Sequence, residues 1–97
     1  MRLEFHALIA SDISRIMEYY EDVAGKQLAD EFYVELRSFF DKAVDAPEAF
    51  SIRERDVRRV NLERFPYHFL FRIHDDRVRI LVVRHHSRQP RLNADRR

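Results

Sequence analysis

The chain has no cysteine, one glycine and no long apolar run. The absence of cysteine excludes a disulfide framework and a thiolate metal site, and fits a reducing cytosol. A membrane span needs roughly 18 consecutive apolar residues, and none occurs. The opening Met1 to His6 also lacks the apolar centre of a signal peptide, so the expectation is a cytoplasmic protein without a membrane partner. Neither an internal repeat nor a low-complexity tract is visible. With 97 residues and 45% of them apolar, the chain has material for one domain, 1–97, ending in a basic tail over 88–97.

What is present is unevenly spread. Residues 1–50 carry 5 Lys+Arg against 11 Asp+Glu, a net of −6, whereas residues 51–97 carry 13 against 6, a net of +7. No lysine follows Lys42, so every cation of the second half is arginine, the side chain suited to forked binding of carboxylate or phosphate. Four of the five histidines lie there too. Such a half seeks an anionic partner, unless the two halves neutralise one another across the fold.

Periodicity orders the elements. Leu3 and Phe5 alternate with charged residues as a short strand. From about Leu8, Ile9, Ile13, Ile16, Tyr20 and Val23 recur at helical spacing with charges between them, an amphipathic helix. Gly25 ends it, because glycine takes the left-handed conformation at a helix C-terminus without a Cβ clash. A second helix carries Leu28, Phe32, Leu36, Phe39 and Ala43 on one stripe and stops before Pro47, and so short a link predicts antiparallel helices. Phe32, Phe39 and Phe40 are expected in the core, and Tyr19 at the edge of the stripe that Tyr20 follows. Glu48 to Asp56 has no period and reads as a loop. Val57 to Leu62 is again strand-like, with Val60 and Leu62 inward and Arg59 and Asn61 outward, ahead of a turn at Phe65-Pro66.

The acidic turn Asp75-Asp76 then joins two strands into a β-hairpin. Pairing Ile73 with Val78 sorts the side chains onto two faces. Phe69, Phe71, Ile73, Val78, Ile80 and Val82 make an apolar face; His68, Leu70, Arg72, Arg79, Leu81, Val83 and His85 make a mixed one. The predicted fold class is α+β: two antiparallel helices packed on one face of a small, mainly antiparallel sheet, in the order β-α-α-β-β-β. The first strand is expected to join the sheet, parallel to one neighbour, with the two C-terminal strands central. Arg59, His68, Arg72 and Arg79 project from the open face.

Ile16, Tyr19 and Tyr20 in the first helix, Ala46 to Phe50 after the second, Arg58 to Tyr67, the hairpin Phe71 to Val83, and His85, Arg88 and Pro90 occur in an order and spacing that resembles the RelE/ParE superfamily of bacterial toxins. These are the toxic halves of toxin–antitoxin and plasmid-stabilisation modules, and the resemblance covers nearly the whole chain. It implies the fold just described, a cognate antitoxin as partner, and one of two activities. RelE-like members cut messenger RNA on the ribosome with a basic residue and a C-terminal proton carrier; ParE-like members poison DNA gyrase and lack that set. Arg88 stands where the nucleases keep an arginine. The position that is arginine in those nucleases is His68 here, and no tyrosine or histidine follows His86. The pattern therefore favours the ParE-like branch, and leaves a RelE-like endoribonuclease using His68, Arg88 and His85, or an inactive interaction module, as alternatives.

No cofactor is implied. His85 and His86 are adjacent and point to opposite sides of a strand, and no carboxylate or cysteine stands at ligand spacing, so no metal is expected. Arg59, Arg72, Arg79, Arg88 and Arg91 are the candidate anion- and partner-binding residues. Arg72 and Arg79, opposed across the hairpin, would repel one another unless an anion bridges them.

Overall fold

A computed structural model describes residues 1–87 and 96–97. Arg88, Arg91 and most of the expected basic tail lie outside the described residues. The elements run β1 (Arg2–Phe5), α1 (Ile9–Ala24), α2 (Lys26–Asp45), a 3₁₀ turn (Pro47–Ala49), β2 (Ile52–Glu54), β3 (Val57–Asn61), β4 (Tyr67–His74) and β5 (Arg77–His85). Among the described residues the strands form one sheet in the order β1-β5-β4-β3-β2. β1 runs parallel to β5 and the other pairs are antiparallel.

The apolar stripes bury themselves as their spacing requires. Ile9, Ile16 and Tyr20 of α1 and Phe32, Leu36, Phe39, Phe40 and Ala43 of α2 pack on Val60, Phe69, Phe71, Val78 and Ile80 of the sheet. Aromatic rings meet edge to face, as ring quadrupoles favour: Phe40 on Phe69 at 4.8 Å, and Phe32 on Phe65 and on Tyr67, each at 5.4 Å. Val23, expected on the α1 stripe, is instead exposed in the last turn before Gly25. Gly25 has φ +96°, open to glycine and strained for other residues, and it lets α2 start one residue after it.

Two expectations need correction. The segment read as a loop contains β2, which pairs with β3 and whose side chains are all exposed. Backbone pairing alone makes it a strand, so its residues carry no apolar alternation. The hairpin register is right at the turn, where Ile73 faces Val78, but it shifts further on. Phe71 pairs with Ile80 while Leu70 pairs with Val82, so Leu81 is an extra residue, a β-bulge. Beyond it every side chain changes face. Val82 joins Val57, Leu70 and Leu81 in a small buried cluster on the open side of the sheet, while Val83 turns into the main core.

β1 covers β5 only from Arg77 to Ile80. Where its pairing ends, side chains supply the partners of the β5 edge. The Asp12 carboxylate accepts from Val83 N at 3.1 Å, and the Arg96 guanidinium donates to Leu81 O at 3.0 Å. Glu35 of α2 fixes the β3–β4 turn in a similar way, its Oε2 accepting from the backbone N of both Glu63 and Arg64 at 3.1 Å.

Candidate anion-binding site

The open face of the sheet divides into two ends. At one end lie Arg72 and Arg79, cross-strand partners as the register required. The anions expected over that pair come from within the chain. Arg72 meets Asp56 at 3.3 Å, and Arg79 meets Glu4 of β1 at 2.9 Å. Glu4 also binds Arg77 at 2.7 Å, and the two guanidinium groups hold its carboxyl below the usual range. The repulsion between Arg72 and Arg79 is thus relieved within the chain, by Asp56 of the basic second half and Glu4 of the acidic first half.

At the other end four side chains from three strands and the residue after β5 converge. The Arg84 Nε donates to His68 Nε2 at 3.0 Å. A guanidinium cannot accept, so the proton of a neutral His68 sits on Nδ1, which lies 3.0 Å from Nδ1 of His86. The imidazole planes are within 11° of parallel with centroids 5.2 Å apart, so the rings meet edge to edge through nitrogen. Arg59 Nη2 approaches the same His86 nitrogen at 3.4 Å, while its Nε donates to Asn61 Oδ1 at 2.7 Å. Arginines thus stand at both ends of a histidine pair and set the direction of its hydrogen bond.

Charge follows from that arrangement. His68 is only 1% exposed, and burial, reinforced by Arg59, Arg84, His86 and His85, pushes its pKa down to about 3. His86 is lowered too, by burial, Arg59 and His85. Burial and Arg53 lower Arg59, and burial and Arg59 lower Arg84 against the opposing influence of Glu54. Both histidines are neutral near pH 7, and the cluster's charge resides in its arginines.

The bulge decides which residues meet. His85, grouped with His68 in the nuclease reading, faces the helix side, with its ring 5.0 Å from Tyr67 and its Nδ1 2.9 Å from Ser87 Oγ. His86 takes the place beside His68, its backbone N donating to Pro66 O at 2.9 Å. Arg84 was missed, although a signal existed: regular alternation from Val78 through Ile80 and Val82 puts an arginine on the apolar face, a misfit that a bulge resolves. Among the described residues no group of three His, Asp or Glu side chains could hold a metal, and no helix is long and apolar enough to cross a membrane.

Known proteins share this architecture. The chain is similar to Toxin ParE2 of Mycobacterium tuberculosis (strain CDC 1551 / Oshkosh), with 28% identity over 89 residues covering 92% of this chain and 85% of the relative. The fold resembles the chromosomal ParDE toxin–antitoxin system from P. aeruginosa, with TM-score 0.78, 22% identity, and 88% of this chain and 95% of that one covered. It also resembles the isolated E. coli RelE toxin, with TM-score 0.61, 16% identity, and 92% and 87% covered. Residues 3–90 match the family described as ParE toxin of type II toxin-antitoxin system, parDE. With nearly all of the fold inside that match, the chain belongs to the ParE toxin family.

Proposed function

We propose that the protein arrests growth by inhibiting DNA gyrase and is neutralised by a cognate antitoxin. One observation carries the choice between the two toxin chemistries. Cleavage of RNA through its 2′-hydroxyl needs a group that gives and takes a proton near neutrality and can reach the substrate. His68 is buried, occupied at both ring nitrogens and held neutral to about pH 3, and His85 lies on the helix side of the sheet. Neither suits that role. Membership of the ParE family supports the same reading. Arg88, part of the nuclease set, belongs to the expectation only.

The test is expression without antitoxin, with DNA supercoiling, the DNA-damage response and message integrity followed together. Inhibited supercoiling and an induced damage response with intact messages are expected. Truncation after Ser87, which removes Arg88, Arg91, Arg96 and Arg97, and with Arg96 the partner of buried Asp12, should abolish toxicity. Codon-phased message cleavage on ribosomes with gyrase unaffected would overturn the proposal in favour of the endoribonuclease, and unimpaired growth would favour an inactive interaction module.

A further inference from the structure

The cations of the open face are not equivalent. Arg72 and Arg79 each have a carboxylate at ion-pair distance. Arg59, among the described residues, has none; its partners are the amide of Asn61 and a neutral imidazole at the long distance of 3.4 Å. Arg53 of β2 adds its charge to that of Arg59, and Arg59 in turn bears on Arg84. The floor is rigid, because His68 is 1% exposed and held from both sides. His86, by contrast, is exposed at the rim. The result is a positively charged notch whose central guanidinium has no counter-ion among the described residues, above a buried and doubly hydrogen-bonded His68.

We propose that this notch receives a single carboxylate from an acidic segment of the antitoxin, forked onto Arg59 with His86 beside it. The assignment rests on the reading of the chain as a toxin held by an antitoxin, and names the chemistry of that contact. A guanidinium fork fits carboxylate and phosphate alike, so the surroundings decide between them. Glu54 acts on Arg84 at one side of the notch, Asp56 occupies Arg72, and Glu4 occupies Arg77 and Arg79 along the same face. A nucleic-acid strand carries a charge roughly every 3.4 Å, so its next phosphates would run onto those carboxylates. A peptide can place one acid on Arg59 and uncharged residues on either side. The site is a point receptor rather than a backbone track.

Occupancy has a direct readout. Arg59, His68 and His85 surround His86, with Arg84 on the far side of His68, Arg53 acting through Arg59 and Glu54 through Arg84. A carboxylate on Arg59 offsets the nearest of these charges, so the titration of His86 moves to higher pH when the site fills. The experiment uses the full chain with labelled histidines, followed by NMR. The probes are a blocked pentapeptide with one central glutamate, its glutamine counterpart, and a short oligothymidylate. The glutamate peptide should shift the His86 and His68 imidazole signals and raise the titration midpoint of His86, and the glutamine peptide should do neither. Arg59→Gln should weaken the glutamate peptide about tenfold or more, the loss of a charge-assisted fork. Arg59→Lys, which keeps the charge but loses the fork, should fall between, and Arg72→Gln should bind as the unaltered chain does.

Equal shifts with the glutamine peptide, unchanged affinity in Arg59→Gln and Arg59→Lys, or tighter binding of the oligothymidylate at His86 would each overturn the assignment. No gyrase, ribosome or growth assay enters the titration. A failed titration beside gyrase-directed arrest therefore removes only the carboxylate notch, and a positive titration beside a protein that spares gyrase removes only the gyrase reading.

Discussion

Asp12 and Arg96, 84 residues apart in the chain, meet as a forked ion pair in which Nη1 lies 2.8 Å from Oδ2 and Nη2 lies 3.0 Å from Oδ1. Both residues are buried, Asp12 at 2% and Arg96 at 8% exposure. The pair closes the edge of β5 just beyond β1, since Val83 N donates to the same carboxylate and Leu81 O accepts from the same guanidinium. A helix residue of α1 and Arg96 thus finish the β5 edge beyond its pairing with β1.

Removing one partner of a buried pair leaves the other charge without compensation, at a cost of about 3–5 kcal/mol. Asp12→Ala should therefore lower unfolding stability by about that amount, since it also orphans Val83 N. Urea titrations of Asp12→Ala, Arg96→Ala and the double variant should give a strongly non-additive cycle. A loss below about 0.5 kcal/mol for Asp12→Ala, the scale of an ordinary surface change, would show that the edge clamp does not hold the fold together.

Acid should unfold the protein partly through His68. Its folded pKa of about 3 lies below the ordinary value of about 6.5. The unfolded chain therefore binds the proton first, so the contribution of His68 is full above pH 6.5 and is lost as pH falls towards 3. Across that window each such proton lowers stability by about 1.4 kcal/mol per pH unit. Denaturant titrations at pH 7, 6, 5 and 4 should show the decline, and His68→Gln, which keeps a donor and an acceptor but does not titrate, should flatten it. An unchanged slope in that variant would place the acid sensitivity elsewhere.

Arg72→Ala and Arg79→Ala should have small effects on stability, about 1 kcal/mol or less, because their carboxylate partners are partly solvated. Thermal unfolding of both variants checks this. A larger loss in Arg79→Ala would mean that the bridge through Glu4 holds β1 to β5 more tightly than a surface ion pair can.

Gly25→Ala isolates backbone strain. A Cβ at Gly25 would meet nothing within 4 Å, so any cost comes from φ +96° alone. Such conformations cost a non-glycine residue on the order of 1–3 kcal/mol, and calorimetry should show a loss in that range with the helical signal retained. No loss would mean that the α1–α2 link relaxes to another geometry.

Element order, the two-helix hairpin and the helix-facing stripes were legible because their information is local and periodic: Ile9, Ile16 and Tyr20, or Phe32, Leu36 and Phe39, share a face by backbone geometry alone. So was the Ile73–Val78 pairing, which a two-residue turn imposes on its flanks. The same local logic failed after Ile80, because a bulge is decided by how β4, β5 and the residues at their ends fit together. That one extra residue carried His85 away from His68 and brought Arg84 and His86 to it. β2 was illegible for a related reason: its pairing uses backbone groups that every residue has. Asp12 is, by spacing, one of the charges between the apolar positions of α1, and only the fold places Val83 and Arg96 against it. Charge and protonation depend on what lies within a few ångströms in space, and for Asp12, His68 and Arg59 those neighbours come from distant parts of the chain.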